Sequence, residues 1–131
     1  MKTLFQFALV LLLGFMAGTA VAHAPLTEPQ KIESLISSIE QLKGAVFIRN
    51  GSEYSAAQAA HHLRMKWDYA GKRVATAEQF IDYCASKSSF SGKKYEIRYA
   101  DGKTVYAADY FHEQLKKISP PAPAPAPIAS H

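Results

Sequence analysis

Apolar side chains recur along this chain with two periods. From Ile32 through Leu35, Ile36, Ile39 and Leu42 they fall three or four positions apart and so share one face of a helix. Thr27 can cap the amide of Gln30 while the Gln30 side chain reaches back, and Pro29 is tolerated in a first turn, so the helix is expected to start there. Gly44, free to take positive φ, is expected to end it. Ala56, Ala60, Leu63 and Trp67 form a second stripe, capped by Ser55 with Gln58 and stopped by Gly71. Phe80, Ile81 and Cys84 form a third behind Thr76 and Gln79, in a helix that gives out in a serine run. Ala108, Phe111, Leu115 and Ile118 form the last, over about Ala107 to Ile118.

Between these stripes the period changes to two. Tyr95, Ile97 and Tyr99 alternate with Glu96 and Arg98, and Asp101-Gly102 turns the chain back on itself. Val46 to Ile48 is β-prone and leads into Asn50-Gly51, both able to take positive φ in a type I′ turn. The predicted order is helix, hairpin, helix, helix, hairpin, helix. Gly51, Ala56, Ala57 and His61 align with Gly102, Ala107, Ala108 and His112, a hint of an internal repeat. No crossover long enough for a parallel pair joins the arms of either hairpin. The pattern predicts a single α+β domain, a small antiparallel sheet from two hairpins packed with about four helices on one face.

The ends of the chain read differently. Lys2, an apolar run from Leu4 to Met16 and the small residues ending in Ala20-Val21-Ala22 have the layout of an export signal, with cleavage expected after Ala22. The run is too short for a comfortable membrane span, which needs about 20 residues, and no cysteine near the cut offers a lipid anchor. The organisation expected is a signal peptide over 1–22, a domain over 23–118 and a disordered Pro/Ala-rich tail over 119–131, with a periplasmic location and no membrane span after cleavage. In the tail, proline fixes φ and removes the amide donor, which favours an extended conformation.

Charge narrows the partners. The formal charge of +4 includes Lys2, so cleavage takes it to 4 − 1 = +3, with mixed signs and no basic stripe. Nucleic acid is therefore not an expected partner, and an unidentified protein or cell-envelope partner is. The single cysteine, Cys84, has no intramolecular disulfide partner, and its helical pattern turns it toward the core, where a thiolate is disfavoured.

Candidate chemistry is sparse. His61 and His62 are adjacent, about 100° apart on a helix, and cannot chelate one metal from a regular helix. His112 and Glu113 could join one of them only if the last helix packs alongside. No H-E-x-x-H pattern is present, and neither a metal site nor a cofactor is implied. His62 shares a face with Lys66, which makes a cationic surface patch. Ser91-x-x-Lys94 matches the bare S-x-x-K of serine acylases without its partner motifs, and Ser91-Gly92-Lys93-Lys94 lacks the leading glycine of a phosphate loop. The remaining candidate is the loop of Ser88, Ser89, Ser91, Gly92, Lys93 and Tyr95. Its serines can close the open carbonyls and amides between helix and hairpin, or the loop can serve recognition.

The motifs "FIRNGSEY", "AAHHLRMK", "TAEQFI" and "SSFSGKKY", in this order, resemble the YfeK-like family of small exported bacterial proteins of unknown function, over about Phe47 to Leu115. The resemblance implies a periplasmic location and one α+β domain, and no activity. The five residues from Ser91 to Tyr95 also look like the S-G-x-x-Y motif of periplasmic lysozyme inhibitors. Carried over, that resemblance makes Ser91 the donor inserted between catalytic carboxylates, Gly92 the turn and Tyr95 its packing support. The expectation is a non-catalytic binding or structural accessory protein, ahead of a lysozyme inhibitor and, third, a small hydrolase or thiol enzyme.

Overall fold

The structure, a computed structural model, describes residues 24–119. The expected signal peptide, and the Pro/Ala-rich tail from residue 120 onward, lie outside the described residues.

Capping boxes start three of the helices. Thr27 opens α1 (Glu28–Glu40), Ser55 opens α2 (Ala56–Ala70) and Thr76 opens α3 (Ala77–Phe80), each with its partner glutamine reaching back. The last helix, α4 (Ala107–Ile118), needs no side-chain cap because it leaves a strand directly, its first amide donating to the Tyr95 carbonyl at 2.9 Å. Two expectations about helix ends are corrected. α1 stops at Glu40, four residues before Gly44, because the amides of Leu42 and Ala45 fold back onto Ile39 and Leu42 in tight turns. Gly44 instead takes φ +72° in the approach to the first strand, where a Cβ would sit 3.0 Å from that of Ala100. The third stripe is not a continuous α-helix either. After one α turn it widens into a π turn over Ile81–Ala85, and the Ser86 hydroxyl donates to the Ile81 carbonyl at 2.6 Å.

The strands are β1 (Val46–Arg49), β2 (Ser52–Tyr54), β3 (Glu96–Arg98) and β4 (Thr104–Tyr106), all antiparallel, in the order β2-β1-β3-β4. Each hairpin contributes its first strand to the middle and its second to an edge, and each runs into a helix. The two halves that the alignment of Gly51 with Gly102 brings together therefore lie on either side of the antiparallel β1–β3 pair, in the manner of a rough two-fold rotation. Phe47 opposes Ile97 there, with Tyr54 and Val105 outward along the same row. One face of the sheet meets the helices and the other carries Glu96, Arg98 and Glu53, with Arg98 donating to Glu53.

The core lies between that face and α1, α2, α4 and the π turn. Ile32, Leu35, Ile36 and Ile39 of α1 are buried together with Leu63, Phe80, Ile81, Cys84, Ile97 and Phe111. Phe80 stands edge-to-face between Trp67 and Phe111, with centroids 6.2 and 6.4 Å away. Glu28 accepts the Ala77 amide at 2.8 Å and so ties the start of α3 to α1. No helix of the described residues is long and apolar enough to cross a membrane.

Candidate functional site

The serine run is a compact turn built around Ser88. Its hydroxyl accepts the amides of Phe90 and Ser91, both at 3.3 Å, and the side-chain amide of Asn50 at 3.2 Å. Its backbone is held too, since the Ser88 amide donates to the Lys93 carbonyl and its carbonyl accepts from Gly92, each at 2.9 Å. Gly92 has φ +72°, which favours glycine. Ser91 donates to the Asn50 side chain and accepts the Lys93 amide at 3.2 Å. Ser88 is buried, while Ser89, Phe90, Ser91, Gly92 and Lys93 are exposed, Phe90 completely.

Beside this turn lies a groove of about 420 Å³. Of the six residues of the sequence-predicted loop, Ser88, Ser89 and Tyr95 line it; Ser91, Gly92 and Lys93 do not. The remaining walls come from elsewhere: Arg49 and Asn50 at the end of β1, His62 and Lys66 on α2, and Phe90. Arg49 sits on the same side of β1 as Phe47, so the strand pleat turns its guanidinium toward the helices. There it packs over the Tyr54 ring, 5.2 Å from the centroid, with one terminal nitrogen 3.0 Å from each ring nitrogen of His62. Lys66, one helical turn beyond His62, donates to the Tyr95 hydroxyl at 3.1 Å and to the Lys87 carbonyl at 3.2 Å. The Tyr95 hydroxyl is 3.5 Å from His62 Nε2.

Three basic side chains thus meet with no acid among them. Of the ion pairs among the described residues, none includes Arg49 or Lys66. Burial lowers the pKa of His62, and Arg49, Lys66 and His61 lower it further. Burial likewise lowers that of Lys66, with Arg49 acting in the same direction. Arg49 has five N–H donors by its chemistry and spends few of them on protein. The arrangement favours an incoming anion, which would relieve the mutual repulsion and accept the spare donors.

Sequence reasoning found the His62–Lys66 face but missed Arg49. The signal was its parity with Phe47, which put a charge on the covered side of a strand. The other candidates fall apart in space or are closed. His112 lies 3.3 Å from Glu78, in a separate ion pair. No group of three metal-ligating side chains comes together among the described residues. Cys84 is buried, and burial pushes its thiol pKa up, against the smaller pull of Lys66 and Arg73.

No solved structure matches the chain. A protein from Salmonella typhimurium (strain LT2), described as uncharacterized protein YfeK, is 40% identical over 76 residues, which cover 58% of this chain and 63% of the relative. The chain thus spans less than two thirds of the length of that relative. The match over residues 26–119, nearly all of the described fold and the whole of the groove, places the chain in the family of unknown function DUF5329.

Proposed function

We propose that the protein is a non-catalytic binding protein of the periplasm that holds an anionic group of a cell-envelope ligand against Arg49, His62 and Lys66. The observation that carries this reading is the meeting of those three side chains in one groove without a carboxylate among the described residues. Catalysis draws less support. His62 is held toward its neutral form by burial and by two cations, and among the described residues no serine hydroxyl or thiol is hydrogen-bonded to it. Lysozyme inhibition through Ser91 also draws less support, because Ser91 does not line the groove in which the basic side chains meet.

Inorganic phosphate is a suitable probe of the groove. Titration followed by backbone amide resonances should give saturable shifts around Arg49, Asn50, Lys66 and Ser88 to Phe90. Affinity should fall with added salt, and by at least about tenfold in Arg49→Met/Lys66→Met, since a charge-assisted hydrogen bond is worth about 1.5–3 kcal/mol. Absence of a saturable shift, or an unchanged affinity in the double variant, would remove the proposal.

A further inference from the structure

The groove does not end at Arg49. A second cavity, of about 250 Å³, shares Arg49, His62 and Tyr95 with it and is lined by residues of α2 and the sheet. Phe47, Ala59, Leu63 and Phe111, all buried, give it carbon walls, while the exposed Gln58 and His61 line it as well. Arg49, His62 and Tyr95 line both cavities, so a ligand held at Arg49 can reach the carbon-lined walls and the groove alike. An apolar cavity of about 150 Å³ suffices for benzene, so this one has room for an aromatic ring with a short linker, or for an alkyl chain of a few carbons.

We infer that the ligand is a small monocarboxylate with a compact apolar body, aryl or short alkyl, which enters this cavity while its carboxylate pairs with Arg49. The inference rests on the anion-binding reading above and adds the class of molecule that carries the charge. Charge complementarity selects the carboxylate. The rim offers one guanidinium, whose planar fork matches a carboxylate in two parallel hydrogen bonds, beside a histidine held toward neutrality. Lys66 lines the groove and not the inner cavity, so a second negative charge on the ligand would have to point away from the apolar walls. The interior selects the body, since Phe47, Ala59, Leu63 and Phe111 present carbon to it and, among the described residues, no lysine or carboxylate lines it.

A homologous series tests this on the unaltered protein. Acetate, butyrate, hexanoate, octanoate and 3-phenylpropionate would be titrated by calorimetry, with 1-octanol as the uncharged control and inorganic phosphate as the head-group control. Each buried methylene should tighten binding about fourfold, until the cavity is full and the series levels off. 3-Phenylpropionate should bind at least tenfold more tightly than acetate, and octanoate at least tenfold more tightly than 1-octanol. Arg49→Met, at a half-exposed position, should abolish the preference for octanoate over 1-octanol without lowering the melting temperature. If phosphate binds and the carboxylates show no dependence on chain length, the inference is wrong while the anion groove stands. It is equally wrong if 1-octanol binds as tightly as octanoate. If neither phosphate nor any carboxylate binds, both readings fall.

Discussion

Ser88 and Ser91 sit three residues apart and play different parts. The first is buried, and its hydroxyl satisfies two amides and the Asn50 side chain. The second is exposed, with contacts that water can replace. Ser88→Ala leaves those donors without their acceptor and should cost about 1–3 kcal/mol. Ser91→Ala and Lys93→Ala should stay within about 0.5 kcal/mol. Urea denaturation of the three variants checks this contrast. His62 makes a prediction about pH. Burial, with Arg49 and Lys66 behind it, depresses its pKa in the folded state, so below about pH 6.5 the unfolded chain binds the extra proton first. Stability should be full above that pH and fall as pH drops toward the folded value. Melting curves across this range should show the loss, and His62→Gln should flatten it. Of the site residues, those in one local run were legible in the sequence because adjacent residues advertise each other. Arg49 comes from a distant strand, and only its inward parity marked it.

At the scale of elements, capping boxes were the most readable feature, because the whole interaction spans four consecutive residues. Thr27, Ser55 and Thr76 each start a helix where their spacing to glutamine says so. Ends were harder to read. Gly44 looked like a helix stop, but turns around Ile39 and Leu42 intervene, and the position favours glycine through its φ of +72° and its close approach to Ala100. The π turn was not legible at all, since Phe80, Ile81 and Cys84 have the same spacing whether the backbone runs as α or widens. The stripe of α2 makes a direct test of the packing. Leu63 is buried and also lines the inner cavity. Leu63→Ala should cost about 2–5 kcal/mol, toward the lower end, because the space it vacates joins one already there. Thermal melts report the size of the loss, and an unchanged curve would mean that this side chain is not core.

The α+β class of the whole molecule followed from the order of elements and from connections too short for parallel strands. The pairing of β1 with β3 did not, because nothing local in either hairpin names its neighbour across the sheet. The export reading adds a prediction at this scale: intact-mass analysis of a periplasmic fraction should find a soluble chain beginning at His23, and a full-length chain in the membrane pellet would overturn it. The strand order also bears on biogenesis. On the export reading the chain emerges N-terminus first, so the residues of β1 and β2 are free to pair before residues 96–98 arrive. Throughout that interval β1, destined for the middle of the sheet, presents an unpaired edge that other nascent chains can join. Phe47, lacking Ile97 opposite, adds a greasy surface to that edge. A chain that stops before Tyr95 should therefore aggregate more readily than the full chain, which light scattering of the two would check.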